Sequence, residues 1–188
     1  MKIRKGDYGY RNSNKRMRMA ITGVLILAIL IQLAARLFTD SQAAKNILTV
    51  MAVLTVLPMA NMASPLLAGF RYRTPSEEFH SRLKPREKDF RILYDLILTT
   101  KSHVIPVDAA VVHPNGVYCF CTAQKLNLQK AEKELNTLFS DNHLDPNVKL
   151  ITDEKSFFRR LDSLKPASEC ADEGTVDYGA QLLKNLSM

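Results

Sequence analysis

Glycine and cysteine are both scarce in this sequence, with 7 glycines and 3 cysteines among 188 residues. No glycine-rich phosphate loop is present, and the Gly-x-Ser-x-Gly, His-Glu-x-x-His and Cys-x-x-Cys motifs are missing too. These motifs position phosphates, serine nucleophiles, catalytic zinc and paired thiols. Their absence excludes the enzyme classes that depend on them.

The three cysteines, Cys119, Cys121 and Cys170, do not form a disulfide framework, because their number is odd and two of them stand in a Cys-x-Cys pair. In a cytosolic domain they are expected to be reduced. Cys119 and Cys121 would share one face of a strand, as small core residues do. A metal ion would need two further ligands, and the four histidines show no ligand spacing, so neither a metal site nor a cofactor is predicted.

Charge is almost missing from residues 19–70, which hold three charged side chains between and beside two apolar runs. The runs cover 19–38 and 47–70, and each is long enough to cross a hydrocarbon core about 30 Å thick. The sequence therefore predicts a transmembrane helical hairpin with a short external loop, 39–46. Asn61 in the second run could hydrogen-bond across to the first helix.

The positive charge of the chain is confined to its N-terminal part. The formal net charge is +7, and residues 71–188 contain 17 basic and 17 acidic residues, so the whole excess lies before residue 71. A nucleic-acid-binding protein usually carries positive charge on its folded domain, whereas basic residues beside apolar spans indicate cytoplasmic ends. We expect an integral protein of the plasma (inner) membrane of a prokaryote, with a basic segment over 1–18, both termini cytoplasmic and no nucleic-acid partner.

Two other interpretations of the apolar runs stay open. The basic start, the first run and the small residues over 41–44 also resemble a cleavable signal peptide. Even then, the second run would hold the chain in the membrane. The second run could instead be a buried core helix, although its length and its lack of charge favour a transmembrane span.

Behind a linker over 71–84, the sequence predicts a small cytoplasmic α/β domain over 85–165 and then a C-terminal tail, 166–188. Two β-branched runs around His-Pro-Asn-Gly predict a β-hairpin. Some parallel pairing is expected, because a helix links the hairpin to a later strand. The predicted elements are, in order, a helix over 85–99, strands over 104–112 and 117–122, a helix over 126–140, a strand over 148–152, and a helix capped by Asp153 that ends before Pro166.

Asp108 is the only charged residue in an otherwise apolar strand. A carboxylate in such a position is costly unless it is paired, hydrogen-bonded or bound to metal. One interpretation is a strand end or bulge where the side chain accepts hydrogen bonds from backbone amides or reaches solvent. The other is a functional carboxylate, and the residue alone does not decide between them.

The segment 105–121, IPVDAAVVHPNGVYCFC, resembles the central hairpin of the nuclease-related domain, a branch of the restriction-endonuclease-like fold, and the resemblance extends over about 86–151. In that family an Asp strand and a turn ending in Gly lead to a second strand that closes on Glu-x-Lys. Asp108 and Gly116 stand at the Asp and Gly positions. The resemblance implies that the Asp and Glu hold a divalent metal, that the Lys assists attack of water on a phosphodiester, and that another strand precedes the Asp strand.

The sequence departs from the family at the second half of the motif. Cys121 stands at the Glu position and Ala123 at the Lys position, so the second metal ligand and the catalytic cation are missing. A shifted register would bring Lys125 towards the site, but no shift supplies the carboxylate. Catalysis is therefore not expected from this motif.

Three functions are compatible with these features. The first, favoured by the missing Glu and Lys, is a catalytically inactive cytosolic α/β domain that binds or interacts at the inner membrane face. The second is a metal-dependent, membrane-anchored nuclease-like enzyme that uses Asp108 and Lys125, and the third is an accessory subunit of a larger membrane complex. The expected partners are the lipid bilayer and another membrane or cytosolic protein.

Overall fold

The computed structural model describes residues 3–122, 127–166, 169–170 and 174–188. Two compact units make up the chain. One unit contains residues 12–71, and the other combines residues 1–11 with residues 72–188. The domain that we predicted over 85–165 is therefore only part of a larger unit, which draws on both flanks of the apolar helices.

Two long helices dominate residues 12–71. Helix α1 spans Tyr10–Leu37 and helix α2 spans Gln42–Gly69. Each has 28 residues, and both are long and apolar enough to cross a membrane. The predicted helical hairpin is confirmed, and α1 begins nine residues before the predicted span because the basic segment continues the same helix.

Within this hairpin, the polar contact between the helices differs from the one expected. The Gln32 side-chain amide lies 3.5 Å from the Thr55 hydroxyl and donates to it. Asn61 is exposed on α2. The bond to the first helix that its position allowed is not formed in the structure.

The second unit alternates helices and strands. After residue 71 the described elements are helix α3, Glu77–Leu83; a 3-10 turn, Lys84–Lys88; strand β1, Arg91–Thr99; strand β2, Val104–His113; strand β3, Gly116–Phe120; helix α4, Leu128–Asp141; strand β4, Val148–Ile151; helix α5, Glu154–Asp162; and helix α6, Thr175–Leu186.

The helix predicted over 85–99 is wrong, because a 3-10 turn and strand β1 occupy these residues. Strand β1 is buried on both faces: Leu93 and Leu98 belong to one core cluster, and Tyr94 belongs to the other. A strand covered on both faces is apolar throughout and loses the alternation that identifies a strand. The helical spacing of its large side chains was therefore accidental.

The four strands form one mixed sheet in the order β1-β2-β3-β4. The first three are antiparallel neighbours, and β4 is parallel to β3, as the crossover through α4 predicted. Helices α4 and α6 cover one face, and helices α3 and α5 cover the other. The result is a three-layer α/β/α unit, and the predicted fold class is confirmed.

Local signals place most of the remaining elements where they were predicted. The hairpin turns at His113–Gly116, where Gly116 has φ 134°, a value that disfavours any side chain. The Asp153 side chain caps α5 by accepting from the Ser156 N–H at 2.7 Å. The predicted strand 148–152 and the described part of the predicted helix 126–140 correspond to β4 and α4.

The last residues belong to the same unit, although no element was predicted beyond 166. Helix α6 buries Leu183 against the sheet. After the helix, the Met188 N–H donates to the Ile97 carbonyl at 3.0 Å, and the Ser187 hydroxyl accepts from the Ile97 N–H at 3.1 Å. The chain therefore ends by extending the edge of the sheet beside β1.

Candidate functional site

Strands β1 and β2 exchange faces at the same level of the sheet. Residues two apart on a strand normally share a face, yet Tyr94 packs on the α3 and α5 side while Leu96 packs on the other. Asp95, between them, has φ 57° in the left-handed region. The pairs that flank it are Tyr94 with Ala109 and Leu96 with Val107, so Asp95 lies opposite the residue that precedes Ala109, Asp108.

The guanidinium of Arg11 lies between the two strands at the level of Asp95 and Asp108, where the regular strand pairing is interrupted. Its Nη1 donates to Asp108 Oδ1 at 2.9 Å and to the Arg73 carbonyl at 2.5 Å. Its Nη2 donates to the carbonyls of Leu96 and Val107 at 3.1 and 3.0 Å. Arg11 is only 5% exposed, so one residue of the N-terminal segment closes a buried gap between two strands.

Asp95 is held from the other side by the same segment. Its Oδ2 accepts from the Gly9 N–H at 2.7 Å and from the Thr74 hydroxyl at 2.9 Å. Helix α1 begins at Tyr10, so this carboxylate lies at a helix N-terminus, where negative charge is favourable. The Arg11 Nε lies 3.7 Å from Asp95 Oδ1, an ion pair beyond hydrogen-bonding distance.

The electrostatic balance of the site is uneven, because two buried carboxylates share one guanidinium. Burial raises the pKa of the Asp95 carboxyl, while Arg11, Thr74 and the Gly9 amide oppose that shift. Both oxygens of the other carboxylate are engaged: Arg11 bonds to Oδ1 of Asp108, and the amide and hydroxyl of Thr122 donate to its Oδ2. Asp108 is therefore a paired structural carboxylate in this conformation.

The remaining positions of the nuclease-related motif are not all in the site. Cys121 belongs to the core cluster on the α4 and α6 side, and burial raises the pKa of its thiol well above the ordinary value. Burial also raises the pKa of Cys119 to about 12, so neither thiol is a ready nucleophile or ligand. Ala123 and Lys125 lie outside the described residues.

No metal site is formed by the side chains in the described ranges: nowhere do three His, Cys, Asp or Glu residues meet as metal ligands. The Arg11 guanidinium already occupies four oxygens, of which one belongs to the Asp108 carboxylate and three are backbone carbonyls. The cation of this site is the guanidinium of Arg11, which forms ion pairs with Asp95 and Asp108.

A second group of polar residues lies at the far end of the hairpin. His113 is buried, with Nδ1 accepting from the Asn115 N–H at 3.1 Å and Nε2 at 3.0 Å from the Lys165 carbonyl. Cys170 Sγ lies 3.8 Å from the same Nε2. Because Nε2 must carry the proton to bond the carbonyl, the imidazole cannot take a proton from this thiol. A cavity of about 320 Å³, which His113 and His143 help to line, adjoins the group.

The sequence had indicated Asp108 but had missed Arg11, Asp95 and Thr122. Arg11 resembled one more basic residue beside a span, and Asp95 lay in a segment predicted as a helix. One signal could have identified the pair: ILYDLIL and IPVDAAV each place a single Asp inside an apolar run, on either side of one short loop. Had the first run been taken as a strand, the two acids would have been expected opposite each other.

The first prediction concerns Arg11. Arg11→Met should lower the free energy of unfolding by about 3–5 kcal/mol, because it leaves two buried carboxylates without their cation. Urea unfolding of the full chain in detergent micelles, followed by circular dichroism, measures this effect. Arg16→Met is the matched control, since Arg16 is exposed. Equal midpoints for the two variants would contradict a structural role for Arg11.

The second prediction concerns Asp95. Below its ordinary pKa of about 4, the carboxyl is protonated in the folded and the unfolded chain alike. As pH rises from there through the raised folded pKa, the unfolded chain loses its proton more readily, so stability falls. Asp95→Asn should therefore gain stability relative to the wild type as the pH is raised from about 4 to 8. The exposed Asp89→Asn should show no such gain, and an equal gain in both variants would refute the assignment.

Comparison with known proteins assigns no family to the chain. No protein-family model matches it, and neither a curated protein nor a solved structure is significantly similar to it. The residues and contacts of the chain itself are therefore the basis on which its function is proposed.

Proposed function

We propose that this chain is a two-span integral membrane protein that presents a catalytically inactive α/β domain for binding or interaction at the inner face of the membrane. The observation that carries the inactive assignment is the occupation of Asp108 by the Arg11 guanidinium and Thr122. An inactive domain at a membrane acts by binding, and its partner is another membrane or cytosolic protein.

The distribution of apolar surface supports the membrane location. Among the described residues, nearly all exposed large apolar side chains lie between Met17 and Phe70, and the exceptions are Ile3 and Tyr178. Soluble monomers rarely expose contiguous apolar surface of this extent. A bilayer would cover such surface. Helices can lie in lipid because they satisfy their own backbone hydrogen bonds.

The α/β unit contains residues from both sides of the helical hairpin, and this supports an even number of membrane crossings. Residues 1–11 end in the first turn of α1, and residues 72–188 follow α2, yet they form one compact unit. The Tyr94 N–H, for example, donates to the Gly6 carbonyl at 2.8 Å. This packing supports a topology with both flanks on the same side of a membrane, and the basic residues beside the spans favour the cytoplasmic side.

The same contacts argue against a cleavable signal peptide. Cleavage near 41–44 would remove Gly9 and Arg11 from the mature chain. Asp95 and Asp108 would then be buried without their principal partners, and an unpaired buried charge is strongly destabilising. The domain is therefore more stable when the N-terminal segment is retained.

A second candidate is the metal-dependent nuclease-like enzyme that uses Asp108 and Lys125. One observation favours it: strand β1 directly precedes the Asp strand β2, and the resemblance to the nuclease-related domain implies such a strand. Against it stand the occupation of Asp108 by Arg11 and the position of Cys121, a buried thiol where the family has a carboxylate. Activity would require the guanidinium to leave the site.

The third prediction separates the two candidates. Magnesium or manganese added to the full chain in detergent should leave its unfolding midpoint unchanged, whereas a bound ion at one hundred times Kd would add about 2.7 kcal/mol. Single-stranded and duplex nucleic acids should stay intact under the same conditions. Metal-dependent cleavage that disappears in Asp108→Asn would establish the nuclease instead.

The fourth prediction concerns topology. In a Cys170→Ser background, Ser41→Cys in the interhelical loop should react with a membrane-impermeant maleimide in intact cells. Lys101→Cys, on an exposed loop of the α/β unit, should react only after the cells are permeabilised. Labelling of both sites in intact cells would reverse or abolish the proposed orientation, and the native Cys119 and Cys121 are buried and should stay silent.

A further inference from the structure

Helix α2 carries one polar side chain that a bilayer cannot satisfy. Asn61 is exposed, and it lies within three residues of the middle of the apolar run 47–70. Among the described residues, no hydrogen bond joins its carboxamide to another group, and the side-chain contact across the hairpin is between Gln32 and Thr55. In hydrocarbon an unpaired amide costs several kcal/mol in the absence of any partner.

The backbone at the same level lacks a partner as well. Pro65 lies inside α2 and has no N–H, so it cannot donate to the carbonyl four residues earlier, which is that of Asn61. The nearby Ser64 hydroxyl does not compensate, because it donates to the Ala60 carbonyl at 2.9 Å. One turn of α2 therefore combines the two donors and the acceptor of the Asn61 carboxamide with a carbonyl that has lost its usual helical donor.

We propose that this face of α2 binds a second copy of the same chain, with the two helices joined through their Asn61 amides. The inference rests on the membrane location argued above and deepens it by naming a partner. Each carboxamide has two donors and an acceptor, so two identical faces related by a two-fold axis satisfy each other. In this arrangement the Asn61 amide of one copy donates to the Asn61 oxygens of the other.

The identity of the partner follows from this self-complementarity. A partner with a charged or acceptor-only group would satisfy the donors and leave the carbonyl that Pro65 frees unpaired. An identical face supplies donors and acceptors in equal arrangement, and cyclic dimers with isologous contacts are the commonest oligomers. The residues at 60, 64 and 68 are small and exposed, so two α2 backbones can approach closely enough for these bonds.

The test uses the full chain in two samples, one labelled on the α/β unit with a donor fluorophore and the other with an acceptor. The two samples are reconstituted together into phospholipid vesicles. Energy transfer should appear and should follow the protein-to-lipid ratio. Asn61→Ala should weaken association by roughly 3- to 30-fold, and Asn61→Gln should retain part of it. Asn46→Ala is the matched control, because Asn46 is exposed at the loop end of α2, outside the apolar run.

Flotation of the vesicles separates failure of this inference from failure of the membrane location. Protein that does not float with the vesicles overturns both. Protein that floats and gives no transfer, or gives equal transfer in the wild type and Asn61→Ala, overturns the dimer alone. An Asn61-dependent cross-link to a different membrane protein, without self-association, would overturn the choice of partner. Unchanged circular dichroism of Asn61→Ala would exclude misfolding as the cause of lost transfer.

Discussion

The buried guanidinium of Arg11 is the contact on which the α/β unit depends. It bonds to one carboxylate and three backbone carbonyls across a gap between β1 and β2. Arg11 and Asp108 are 97 residues apart in the chain, and the apolar stretches of both long helices lie between them. The domain is therefore completed only when the start of the first helix packs against the strands that follow the second helix. One ion pair between residues far apart in the sequence thus constrains the topology of the whole chain.

The same contact explains the unusual backbone of Asp95. A left-handed conformation in a non-glycine residue costs roughly 1–2 kcal/mol, and here it redirects a carboxylate towards the start of α1. The bonds from Gly9 and Thr74 to that carboxylate offset the cost. Because Asp95 and Asp108 are opposite each other, both strands exchange faces at one level, and the pairing register before and after the break is preserved. The irregularity changes which side chains enter each core cluster without shifting the sheet.

Sequence reasoning succeeded where the signal was local and failed where it was shared between distant segments. The hairpin, α4, β4 and α5 were predicted from turn residues, helical periodicity and the Asp153 cap, all of which lie within each element. Strand β1 was missed because burial on both faces removes alternation. The cost of burying Asp108 correctly implied a partner, but nothing near it in sequence identified Arg11. Basic residues beside an apolar span are already explained by membrane topology. Arg11 was therefore grouped with them, and its side chain was not expected to enter the fold.

A guanidinium and a divalent ion satisfy carboxylates in different ways, and the difference decides what the site can do. Arginine stays charged, supplies five N–H donors and cannot polarise a bound water as a metal does. Exchanging it for an ion would first leave buried carboxylates unpaired, at about 3–5 kcal/mol. Such an exchange is disfavoured in the folded unit, because the guanidinium already binds Asp108 and lies 3.7 Å from Asp95. In the structure the site is filled by arginine, and its contacts join the start of α1 to strands β1 and β2.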